Sequence, residues 1–182
     1  MDFFESLAEL EAIPELHCAR LLVLIDAFSG EDGTREIEGL TKLAKLDFLL
    51  RYPVMLEKAL QARNRSAKAA EVQPHERNSV ESKMVRYRYG PWDHRYWQLL
   101  ALLQAKGLVR VRRKGLGRMV GLTGRGRALA KQLTLSPDYD VIARRAQLLK
   151  ESLDLTATGI MRFVYATFPE IASLQMNEQI ES

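Results

Sequence analysis

Cysteine is almost absent from this chain. Cys18 is the single one. It sits inside an apolar, helix-like run, so no disulfide framework can form. Histidine is scarce too: His17, His75 and His94 are scattered, and none has the Cys or carboxylate spacing of a metal site. His17 falls in an expected core helix and reads as a structural histidine. No apolar run approaches the ~18 residues that cross a membrane. The opening MDFFESLAELEAIPEL carries acids where a secretory signal would carry cations. Together these absences exclude a disulfide scaffold, a zinc module and a membrane-spanning protein, and they predict a cytoplasmic one.

Catalytic signals are missing as well. No Ser or Cys has a base and an orienting group beside it in the pattern of an activated nucleophile. Gly121-x-x-Gly124-x-Gly126 is glycine-rich. It lacks the strand–helix–strand context of a dinucleotide site and the Lys-Ser/Thr of a phosphate loop. Its expected role is to turn the chain and start a helix. The chain therefore reads as a non-enzyme with no cofactor and no metal.

What is present is basic charge, unevenly placed. The 182 residues carry a formal net charge of +4. Residues 84–131 hold twelve Lys/Arg against one acid, Asp93, so this stretch carries +11 and the remainder −7. Such asymmetry suggests a basic face for a polyanion and an acidic remainder for another partner.

The length suits one domain with extra helices. Residues 1–63 read as an N-terminal helical part, with a short amphipathic helix over 1–10 and helices over 14–28, 35–50 and from Pro53. The residue before Pro53 is disfavoured in helix, which sets the break. Residues 64–82 hold few large apolar side chains and read as a mobile loop. Residues 83–135 form the expected core unit, 136–176 two C-terminal helices, and 177–182 a frayed tail.

The core unit has the order of a winged helix. A short aromatic strand leads to a Gly90-Pro91 turn. A helix follows with Trp92, Tyr96, Leu99, Leu100 and Leu103 on one stripe, closed by Lys106-Gly107. A hairpin then pairs 108–114 with 118–122: Val109 and Val111 alternate with Arg110 and Arg112, and Gly115 and Gly117 make the reversal. The expected fold is mainly α with a small β wing, a winged helix-turn-helix with additional N- and C-terminal helices. Arg110, Arg112, Arg113, Lys114 and Arg118 on the wing, with Arg125 and Arg127 at the next helix start, are the candidate phosphate-binding residues.

The other face of the helix before the wing is less suited to reading bases. Arg95 and Gln98 can reach base edges. Ala101, Leu102 and Ala105, with an exposed Trp97, look more like a protein interface. The last helix adds Ile160, Phe163 and Phe168 as candidate partner contacts. The two C-terminal helices complete the core, form a homodimer interface or seat a partner subunit.

Two further stretches, Gly39-Leu40-Thr41-Lys42-Leu43-Ala44-Lys45-Leu46-Asp47-Phe48-Leu49-Leu50 and Arg88-Tyr89-Gly90-Pro91-Trp92, are familiar in combination. With the closing FVYATFPEI, the chain resembles the small middle component of three-gene ABC-ATPase systems, the Lamassu-type antiphage defence operons. Leu40 stands where that family usually has Arg, and Ala44 where Gln is frequent. The resemblance implies a non-catalytic accessory subunit that bridges DNA to an SMC-like or ABC-type ATPase and an effector. A dimeric winged-helix transcription regulator is the alternative.

Overall fold

The computed structural model describes residues 13–77, 85–87, 90–92, 95–169 and 171. The helix expected over 1–10, residues 78–82 of the expected loop and the tail lie outside the described residues. Helix α1 spans Pro14–Phe28, with proline in its first turn. Strand β1 is Ile37–Glu38. Helix α2, Leu40–Arg51, and α3, Pro53–Ala62, meet at Tyr52-Pro53 as expected. A short helix α4, Pro74–Arg77, and strands β2, Val85–Tyr87, and β3, Gly90–Trp92, precede α5, Tyr96–Ala105. Strands β4, Val109–Lys114, and β5, Gly117–Leu122, form the hairpin. Helices α6, Gly124–Thr134, α7, Asp140–Leu153, and α8, Ala157–Thr167, close the chain.

The architecture is mainly helical with a small antiparallel sheet ordered β1-β5-β4. Helix α2 is its centre. Leu43, Ala44, Leu46, Phe48 and Leu49 are fully buried in it, and so are two charged residues, Lys45 and Asp47. A helix buried on every side must pair its polar groups or leave them desolvated. Asp47 is paired: Arg20 of α1 donates to both carboxylate oxygens at 2.7 and 2.9 Å, and the Tyr96 hydroxyl donates to the same group. Lys42 reaches Asp154 at 3.2 Å. The Lys45 amine has no hydrogen-bond partner among the described residues.

Several expectations are corrected. Residues 35–39 are not the start of a helix. Ile37 is buried and pairs with Val120, and the Gly39 N–H donates to the Arg118 carbonyl. A β-branched core residue beside a sheet edge favours strand over helix there. Pro91 and Trp92 belong to β3, paired with β2, and the helix expected from Pro91 starts at Tyr96 instead. Residues 64–77, expected to belong to a mobile loop, contain a single helical turn, Ala67–Ala70, and the short helix α4. Ala70 is fully buried, and the buried Arg145 guanidinium donates to the carbonyls of Ala70 and Glu71 and to the Glu76 carboxylate. Glu71 adds a pair with Arg144, and Arg77 one with Glu57. One arginine replaces the apolar anchors that the stretch lacks.

The C-terminal helices complete the core. Ile160, Val164 and Phe168 are fully buried. Phe168 meets Phe48 edge-on, with ring centroids 6.0 Å apart. Such a pair contributes beyond its buried area. Ile160 and Phe168 are therefore core residues, not surface contacts for a partner.

Candidate nucleic-acid interface

The hairpin pairs Val109 with Leu122, Val111 with Val120, Arg113 with Arg118 and Lys114 with Gly117. Directly opposed residues share a face, and alternate residues switch faces. Arg113 and Arg118 thus continue the face of Val109, Val111, Val120 and Leu122, beyond the point where that face meets the core. Arg110, Arg112 and Lys114 share the opposite face. The seven candidate cations do not form one rim: the register divides them.

Two of them are already engaged. Arg112 Nε lies 3.1 and 2.7 Å from the two oxygens of Glu36, a residue just before β1. Glu36 lies over Gly121, where a Cβ would fall 2.7 Å from its Cγ. That close approach is why position 121 takes glycine. Arg127 donates to the Asp32 carbonyl at 2.8 Å and to the Gly33 carbonyl, tying α6 to the turn after α1. Arg112 and Arg127, both expected to bind phosphate, thus each already hold an intramolecular partner.

Arg110, Arg113, Lys114 and Arg125 are exposed, and none forms an ion pair among the described residues. Arg118 is exposed too, and its guanidinium lies over the Trp97 ring, 4.6 Å from the centroid. Leu116 stands fully exposed at the reversal. Arg113 and Arg118 face each other across the strands, an arrangement of like charges that is unfavourable without an anion.

The hairpin's root is fixed by local chemistry. Thr123 caps α6: its hydroxyl accepts from the Gly126 N–H at 3.0 Å and donates to the Gly107 carbonyl at 2.7 Å. A Cβ on Gly126 would lie 1.9 Å from the Leu108 carbonyl oxygen. Close packing thus accounts for Gly121 and Gly126, while Gly124 has open space around it.

Trp97 is placed by its neighbour. The Tyr96 ring is buried and its hydroxyl is anchored on Asp47, so the first turn of α5 cannot rotate and the next residue projects outward. Burial, and then the adjacent Asp47 carboxylate, hold the Tyr96 phenol neutral far above its ordinary range. Burial would also raise Asp47, but Arg20 and the Tyr96 hydroxyl hold it below the usual carboxylate range. Trp97 is 47 % exposed. Ala101 and Ala105 are exposed beyond it, while Leu102 is half-buried. Phe163 is half-buried against the core. Trp97 and Arg118 lie twenty-one positions apart in the sequence, which gives no sign that they meet.

Among the described residues no group of His, Cys, Asp and Glu can hold a metal ion, and no helix is long and apolar enough to cross a membrane. Comparison with family models, curated proteins and solved structures finds no match.

Proposed function

We propose that this chain is a winged-helix nucleic-acid-binding subunit that performs no catalysis itself and works with an SMC-like or ABC-type ATPase and an effector. The winged-helix assignment is supported by element order. Helix α1, strand β1, helices α2 and α5 and then the β4–β5 hairpin follow one another, with β5 central in the sheet. On this reading residues 52–95 are an insertion between the second and third helices, and β4–β5 is the wing.

The observation that carries the binding function is the set Arg110, Arg113, Lys114, Arg118 and Arg125, exposed and without a carboxylate partner among the described residues. Their mutual repulsion is relieved when phosphates take the place of counterions. Contacts to phosphates position a duplex without reading its sequence, so binding is salt-sensitive and tolerant of sequence.

The ATPase partnership is supported by the Lamassu-type resemblance and by the acidic charge outside the basic stretch. Of the proposed partner residues, Ala101 and Ala105 remain an exposed strip, with Leu102 at its edge. A stable interface needs roughly 1,200–2,000 Å² in total, so the strip is the centre of a larger face.

Two experiments test this function. Binding of unrelated duplexes is compared for the natural chain and Arg113→Glu/Lys114→Glu, with uniform weakening expected. High affinity for one palindrome, unaffected by those changes, favours a dimeric regulator instead. Co-purification with an ATPase encoded beside it tests the partnership, and consistent failure at low salt with nucleotide present removes it.

A further inference from the structure

Resting on the nucleic-acid reading above, we propose that Trp97, Arg118 and Arg113 form a stacking site for an unpaired nucleobase, so that the chain binds single-stranded or locally opened nucleic acid in preference to intact duplex. Three observations converge. Trp97 is a large aromatic side chain left 47 % exposed at the start of α5, beside a helix turn locked by Tyr96 and Asp47. Arg118 reaches it from another element and lies 4.6 Å from the ring centroid. Arg113 stands directly opposite Arg118 in the hairpin register. It is exposed and adds a second cation on the strand paired with that of Arg118.

A duplex offers phosphates and base edges to side chains, while its base faces are stacked internally. A cation cluster alone therefore needs no aromatic. An exposed indole with a guanidinium on it matches a base that has left its stack: the ring takes the base face and the arginines take the flanking phosphates. The pre-formed Arg118–Trp97 contact holds the ring in one orientation before ligand arrives. The opposed arginines are unfavourable in the free protein and gain an anion on binding. Base stacking is indifferent to base identity, so the site selects strandedness over sequence.

The test uses the full chain with a 12-nucleotide thymidine oligomer and a 12-base-pair mixed duplex in low salt. The chain has two tryptophans, Trp92 and Trp97. Indole emission is expected to be quenched by the oligomer and little changed by the duplex, with the quench lost in Trp97→Leu. Trp97→Leu should lower oligomer affinity roughly 5- to 100-fold, the range for loss of one stacked base. Trp97→Phe should recover most of it, and neither change should affect duplex binding. Thermal melting of the variants checks that this surface position leaves the fold intact. Equal oligomer affinity in the natural chain and Trp97→Leu, with duplex binding retained, overturns this inference and leaves the nucleic-acid reading standing. Loss of an ATPase partner in Trp97→Leu with oligomer binding unchanged also overturns it, in favour of a protein contact. No binding of either nucleic acid removes both.

Discussion

Arg112 and Glu36 form a two-point contact across the edge of the sheet, with Arg112 Nε 2.7 Å from Glu36 Oε2. The carboxylate is largely buried while the guanidinium is exposed. Arg112 thus belongs to the fold, although its sequence setting matches that of Arg110. Neutralising it as Arg112→Gln should change DNA affinity little, whereas Arg113→Gln should lower the log–log salt slope by close to 0.9. Glu36→Gln should release Arg112 and steepen the slope by a similar step. Salt titrations of the three variants check this, and an equal loss for Arg112→Gln and Arg113→Gln would contradict it.

The Asp47 cluster predicts a stability effect remote from the interface. Asp47→Ala leaves Arg20 and the Tyr96 hydroxyl without their shared acceptor in the core. Breaking a buried pair this way costs about 3–5 kcal/mol. Tyr96→Phe removes one hydrogen bond and should cost about 1–3 kcal/mol. Denaturant unfolding measures both. A loss below about 1 kcal/mol for Asp47→Ala would show that the cluster does not hold α5 in place.

The hairpin and most helix positions were legible in the sequence because their patterns are local. Valine alternating with arginine marks a half-buried strand, and Tyr52-Pro53 marks a helix break. The two-residue β1 was not legible, because it is too short for periodicity and exists only through pairing with β5. The burial of Lys42, Lys45 and Asp47 was hidden for a related reason. LTKLAKLDFLLR reads as an amphipathic helix, and its polar side is closed by elements distant in sequence, β3, α7, α8 and α1 among them, that pack around it. The site was half legible. Charge counting found the cations, but counting does not reveal that Glu36 and the 32–33 turn already hold Arg112 and Arg127.

Lys45 predicts a change in the opposite sense. Its amine is fully buried without a partner among the described residues, and burial lowers its pKa to about 8. Below that pH the buried amine must carry its charge, so the full penalty is present. Between about 8 and the ordinary 10.5 the unfolded chain binds more protons than the folded one, and stability rises with pH. Lys45→Met should therefore stabilise the protein near pH 7, by on the order of a few kcal/mol. The gap should narrow toward pH 10.5. Melting curves of both proteins from pH 6 to 10.5 test it, and a Lys45→Met variant less stable throughout would contradict it.

Asp154 governs the acid side. Burial raises its carboxyl, but the cations Lys150, Arg35 and Lys42 outweigh that and bring it down to about 2. The contribution is fully present above its ordinary value of 3.8 and is lost as pH falls through about 2. Asp154→Asn should be less stable than the natural chain at pH 5, and the two should converge near pH 2. Parallel curves over that interval would show that the three cations contribute nothing through this carboxylate.

The most direct measurement of the central claim is the salt dependence of duplex binding by the natural chain beside Arg113→Glu/Lys114→Glu. Five exposed cations without a carboxylate partner among the described residues are available, and each phosphate neutralised contributes about 0.9 to the slope of log affinity against log salt. The account predicts measurable binding at low salt, a slope between about 2 and 4.5, and a clear flattening in the double variant for every sequence tried. Absence of binding at low salt, or a slope unchanged by removing both charges, would contradict it.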